Sequence, residues 1–263
     1  MIVFAVCKPI IGMVHLGPLP GCARGGGDLD AVIESALADA RALEAGGVDG
    51  IMVENYFDAP FRKDHVPPVT VAAMTLALTA VRREVGIPIG VNVLRNDVES
   101  AISIAHTCRA QFVRCNVYVG AVVSDQGIIE GAALKAVALR RELGAEIEIW
   151  ADVCVKHAST LGDYPIAEQA RDAVERGLAD RIIVTGIATS EETPMESVRA
   201  VKNAVGCAPV FAGSGISSEN AVRILSLADG AIVGTSVKAA GDIRAPIDAV
   251  RVRNLVDIVR NTH

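Results

Sequence analysis

The chain has 263 residues, 51% of them hydrophobic and 21% charged, with a formal net charge of −6. That is enough apolar sequence for one substantial core, and an acidic balance without blocks of like charge leaves no electrostatic footprint for nucleic acid. Six scattered cysteines, Cys7, Cys22, Cys108, Cys115, Cys154 and Cys207, form no C-x-x-C pair, which argues against a disulfide framework or a structural zinc site and for a reducing cytoplasm.

Met1 to Val14 is apolar, but Lys8-Pro9 interrupts it and no small-residue cleavage site follows. The segment therefore reads as entry plus first strand rather than as a leader. From there the chain repeats one alternation: a short apolar run rich in β-branched residues, a polar turn, then a longer stretch of helical periodicity. The predicted strands are Ile10 to His15, Gly50 to Glu54, Ile87 to Val93, Phe112 to Val117, Ile147 to Asp152, Arg181 to Thr185, Pro209 to Ala212 and Gly230 to Gly234. Such mostly apolar runs suit parallel strands covered by helices. In the first helix Leu29, Val32, Ile33, Ala36, Leu37, Ala40 and Leu43 make one apolar stripe, which Gly46-Gly47 ends. Thr193-Pro194-Met195-Glu196 has the form of a capping box with proline at the first helical position, and Gly206 closes that helix. The longest uncharged helical stretch, Val66 to Val81, contains Pro67-Pro68 and falls short of the roughly 20 apolar residues that span a bilayer. Eight evenly spaced units in a length near the ~250-residue norm predict one (β/α)8 TIM barrel over residues 1–263, α/β in class, ahead of an open doubly wound sheet.

A closed barrel gathers its βα loops on one face, so polar strand ends converge. The nominees are His15, Glu54, Asn55, Asn92, Arg114, Asn116, Asp152, Lys156, His157 and Thr185. Glu54, Asn92, Asp152, Lys156 and His157 are the candidates for catalysis, and His15, Asn55, Arg114, Asn116 and Thr185 for substrate binding. Lys156 could serve as a nucleophile if desolvated, or as a cation holding an oxyanion; the non-covalent role is preferred. His157 could move protons near neutral pH. Glu54 and Asp152 end apolar strands, where a carboxylate is costly unless paired. General base, metal ligand and salt bridge to Arg114 or Lys156 all remain open for them. His15 lacks the second histidine at two-residue spacing of a binuclear metal barrel. No motif names a cofactor or a metal site, though a single Mg2+ is compatible with these carboxylates.

Two glycine turns give the sharpest local signal, Gly213-Ser214-Gly215 after strand seven and Gly234-Thr235-Ser236 after strand eight. Glycine lets backbone N–H groups approach an anion, and these two loops are the usual phosphate position in this fold; tight strand exits would also require glycine. Arg24-Gly25-Gly26-Gly27-Asp28 lacks the Lys-Ser/Thr ending of a P-loop and reads as a flap over the mouth or a plain linker. Tyr118 to Gly127 is a second long loop. Trp150 reads as packing.

Ile11 to Gly21, Gly50 to Asn55, Gly90 to Asn96, Phe112 to Val117 and Asp152 to His157 together resemble the BtpA/SgcQ family over nearly the whole chain. The resemblance implies a barrel related in shape to phosphate-binding isomerases and lyases. The family name derives from photosystem I biogenesis in cyanobacteria, while other members sit among sugar-metabolism genes; the resemblance transfers no catalytic residues. Two functions are therefore expected to compete. One is an isomerase, epimerase or aldolase-type lyase acting on a phosphorylated sugar or similar metabolite. The other is a non-enzymatic assembly factor for a membrane complex such as photosystem I. The expected partner is a phosphorylated small molecule, with no nucleic acid and no integral membrane segment. A cytoplasmic homo-oligomer is expected, with peripheral membrane association as the alternative.

Overall fold

Eight parallel strands close into a barrel in the computed structural model, which describes residues 2–25, 27–186, 189 and 191–262. In chain order the strands are β1 (Ile10–His15), β2 (Gly50–Glu54), β3 (Ile89–Asn92), β4 (Phe112–Cys115), β5 (Ala121–Ser124), β6 (Gly127–Glu130), β7 (Glu148–Val153), β8 (Ala158–Thr160), β9 (Arg181–Val184), β10 (Val210–Ala212) and β11 (Gly230–Val233). The helices are α1 (Leu29–Ala45), α2 (Pro68–Glu84), α3 (Val98–Cys108), α4 (Ala133–Glu142), α5 (Ile166–Glu175), α6 (Met195–Val205), α7 (Ala221–Leu225) and α8 (Ala249–Arg260). The barrel runs β1-β11-β10-β9-β7-β4-β3-β2, so all eight anticipated βα units are present.

Strand side chains alternate between the helix layer and the barrel interior. On β1, Ile10 and Val14 join the outer core with Leu43 of α1, whereas Ile11 and Met13 turn inward. Continued around the barrel, that parity builds an interior layer of Met52, Phe112, Trp150, Ile183, Phe211 and Ile232. Trp150 is fully buried there, stacked on Phe112 with ring centroids 4.1 Å apart. Gly90 makes room for this stack, since a Cβ on it would lie 2.2 Å from the Phe112 ring. Below the layer, Arg181 pairs with Glu148, which also accepts from the Trp150 indole at 2.9 Å, and Ile2 and Phe4 pack under it.

Two local expectations are corrected. Tyr118 to Gly127 is no plain loop: β5 and β6 form a hairpin, and β8 adds antiparallel to β5. The Thr193 capping box does not form. Pro194 occupies the N-cap of α6 without a side-chain bond. The Thr193 hydroxyl, fully buried, instead donates to the carbonyls of Val184 (3.2 Å) and Ser214 (3.0 Å), tying two strand exits together. Gly206, with φ of 60°, does end α6. The glycine run after β1 turns at Gly25, Asp28 caps α1 through the Asp30 N–H, and Gly26 lies outside the described residues.

Candidate active site

The parity that fills the interior with apolar side chains places polar ones at its top. Register pairs His15 with Glu54 and Glu54 with Asn92, so three strands present these side chains in one row. Asn92 donates to Glu54 Oε2 at 2.6 Å, and both are buried. Across the barrel Arg114 grips Asp152 through two parallel bonds of 3.0 Å, Nε to Oδ1 and Nη2 to Oδ2, and Asn116 donates to the same carboxylate at 2.8 Å. This is the salt bridge held open as one fate of Asp152. Three donors thus fix this carboxylate in place, leaving one acceptor site on Oδ1. Among the described residues no group of three His, Cys, Asp or Glu side chains could hold a metal ion.

The ammonium of Lys156, just past β7, makes no hydrogen bond or ion pair with any described residue, while its backbone carbonyl accepts from Arg95. Burial, with Arg114 nearby, pushes its pKa down, opposed by Glu54 and Asp152. His15 is held neutral: burial, then the charges of Lys238, Lys156 and Arg114, lower it to about 3. Its Nδ1 is buried without a partner, and its ring lies 4.7 Å from that of Tyr56. Between pH ~3 and its ordinary value near 6.5 the unfolded chain binds a proton that the folded chain refuses. The stability tied to this group is complete above pH 6.5 and declines as pH falls toward 3. Replacing His15 with Gln should therefore flatten the fall in stability between pH 6.5 and 4 by up to about 1.4 kcal/mol per pH unit, read by urea unfolding of both proteins. Parallel curves would show that His15 is not the neutral group.

At the glycine turns, the Ser214 hydroxyl looks inward: it accepts from the Gly186 N–H at 2.7 Å and donates to the Glu191 carbonyl at 2.8 Å. The backbone N–H groups of Ser214, Gly215 and Ile216 donate to no described residue. Gly215 has φ of +65° and a Cβ there would meet the backbone of Glu191 at 2.4 Å, so glycine is required at this position. Gly234 packs against His15, and the Ser236 hydroxyl is buried without a partner, as is that of Thr185.

These parts share one cavity of about 390 Å3, lined by His15, Glu54, Arg114, Lys156 and both glycine turns. A second lobe of about 350 Å3 shares Glu54 and Lys156 with it. Arg24, Arg95, Arg114, Lys156 and Arg244 line these lobes against the carboxylates of Glu54, Glu192 and Asp242, five cations to three anions, in a chain of net charge −6. The mouth is locally suited to an anion.

Of the nominees, Asn55 turns away: its amide bonds Asp58 and both the N–H and the carbonyl of Leu94, so it braces the loop after β2. His157 is exposed, with φ of 56°, and bonds the Thr189 hydroxyl at 3.0 Å at the second lobe. Arg95, buried with its Nε unpaired, and the Tyr56, Phe57 and Phe61 side chains beside it were not nominated. They sit on loops, where no periodicity marks them; the only available signal was three aromatic residues within six positions of an aromatic-poor chain.

The BtpA family model matches residues 6–261. The chain belongs to the BtpA family. It is 47% identical to the photosystem I biogenesis protein BtpA of Synechocystis over 254 residues, 97% of this chain and 88% of that protein. It is 46% identical to an uncharacterized protein of Thermococcus kodakarensis, covering 96% of this chain and 95% of that one. Among solved structures, a phosphoribosyl anthranilate isomerase from Thermus thermophilus superposes with a TM-score of 0.60 at 14% identity, over 97% of this chain and 100% of that one. At that identity the likeness is one of fold. No described helix of this BtpA-family member is long and apolar enough to cross a membrane.

Proposed function

We propose that the barrel is an enzyme acting on a phosphorylated sugar or similar small metabolite, of isomerase, epimerase or aldolase type. The observation that carries this reading is the meeting, in one cavity, of two glycine turns, a carboxylate positioned by Asn92 and an ammonium that bonds no described residue. The phosphate sits on the turns at 213–215 and 234–236, held by backbone N–H groups. Glu54 removes a proton from the carbon beside a carbonyl, and Lys156 holds the negative charge that develops on the carbonyl oxygen. Return of the proton from Glu54 to the former carbonyl carbon, with the hydroxyl proton on the adjacent carbon passing to the former carbonyl oxygen, completes an isomerisation. Neutral His15 and the Thr185 hydroxyl supply further polar contacts. Lys156 acts here as a non-covalent cation, with Glu54 and Asp152 nearby favouring its charged form against burial and Arg114.

The test is thermal unfolding against inorganic phosphate, a panel of sugar phosphates and their unphosphorylated counterparts. A ligand at about a hundred times its Kd stabilises the fold by roughly 2.7 kcal/mol, a shift of several degrees. Shifts confined to phosphorylated compounds are expected. Lys156→Met should melt higher than the parent without ligand, because a desolvated charge is removed, and gain less from phosphate. A panel without any shift would contradict the reading.

The name of the Synechocystis relative favours a second reading, a biogenesis factor for a membrane complex, docking without turnover. It predicts retention on membranes after a high-salt wash and no dependence on the turn at 213–215.

A further inference from the structure

The second lobe differs in chemistry from the first. Three of the chain's nine Phe, Tyr and Trp residues, namely Tyr56, Phe57 and Phe61, line it half-buried, and Leu94 adds to its wall. Tyr56 and Phe57 meet edge-on, with ring centroids 5.2 Å apart and planes at 89°, forming a corner. Of the other aromatic residues, four lie within or below the barrel interior and two beside the hairpin, so this corner is the aromatic surface that faces the mouth. Its loop is braced from behind: Asp58 accepts from the Leu19 N–H at 2.8 Å and from Asn55 at 3.0 Å.

The charges of the lobe are unbalanced. Arg24, Arg95 and Arg244 line it against the single acid Asp242, besides the shared Glu54. Arg95 is 5% exposed; one Nη donates to the Lys156 carbonyl at 2.9 Å, while its Nε is buried without a partner. Buried donors are rarely left so. A planar guanidinium matches a carboxylate, and apolar ring faces match another ring.

We propose that this lobe receives a planar ring bearing an acidic group. The barrel's ligand is then two-ended, a phosphate at one end and an aromatic or heteroaromatic acid at the other. The proposal rests on reading the glycine turns as the phosphate site. Glu54 and Lys156, which line both lobes, face the atoms between the two ends, where the bond-making carbon lies.

Ligand-observed NMR on the full chain, with benzoate, cyclohexanecarboxylate and benzylamine as probes and with or without saturating inorganic phosphate, tests this. Benzoate should bind and persist with phosphate present, cyclohexanecarboxylate should bind several-fold more weakly, and benzylamine should not bind. Arg95→Met should weaken benzoate about tenfold or more, the usual scale for a lost bond to a charged group. Phe57→Leu, at a half-buried position that tolerates an apolar replacement, should weaken it without touching the phosphate-dependent melting shift. Absence of benzoate binding, or its displacement by phosphate while the melting shift persists, would overturn the second-lobe assignment alone. Loss of the phosphate shift in the unmodified chain would overturn the underlying phosphate reading and with it the two-ended ligand.

Discussion

Glu54→Gln is expected to lower turnover of the phosphorylated substrate by about 10²- to 10⁴-fold, the range for loss of a positioned general base. The replacement is nearly isosteric, and the glutamine carbonyl can still accept the Asn92 bond now made to Oε2. Stability and the phosphate-dependent melting shift should therefore stay close to those of the parent, which separates a chemical role from a structural one. The rate is followed as substrate conversion, or as uptake of solvent deuterium at the carbon beside the carbonyl. Asp152 gives the contrasting case, since Arg114 and Asn116 already occupy its oxygens. An undiminished rate in Glu54→Gln would remove Glu54 from the mechanism.

Arg114→Met should produce the largest loss of stability of any substitution at the mouth. Both members of the Arg114–Asp152 pair are almost fully buried, with side-chain exposures of 2% and 0%. Removing one partner of such a pair leaves an uncompensated buried charge and typically costs about 3–5 kcal/mol. For a chain of this length that is a fall in Tm of roughly 6–20 °C. The double variant Arg114→Met with Asp152→Leu should recover much of the loss, because no charge is then stranded. A single variant that melted within a degree or two of the parent would show that the pair is hydrated rather than buried.

The strands were legible because parallel strands covered on both sides must be apolar, so each polar interruption stood out. His15, Glu54, Asn92, Arg114 and Asp152 are such interruptions, and all five prove to point inward. Parity alone separates Glu54 from Asn55, and sequence reading grouped the two together. Asn55 falls on the other side of the strand end and braces a loop. Arg95, Tyr56, Phe57 and Phe61 escaped nomination because loop residues obey no period; their proximity depends on the barrel bringing the second and third loops together. The hairpin of β5 and β6 was missed for a related reason. Its strands, Ala121–Ser124 and Gly127–Glu130, are short and half-exposed, and the pairing of β5 with β8 is non-local. Thr193 shows the opposite failure, a motif with the right spacing whose hydroxyl was drawn off by two buried carbonyls.

The central claim, that the turns after β10 and β11 hold a phosphate above Glu54 and Lys156, is tested most directly by a crystal structure of the protein grown in inorganic phosphate. The account predicts a tetrahedral anion within hydrogen-bond distance of the backbone N–H groups at 214–216, with the turn at 234–236 on its other side. An anion bound elsewhere at the mouth, with those N–H groups turned to water, would contradict it.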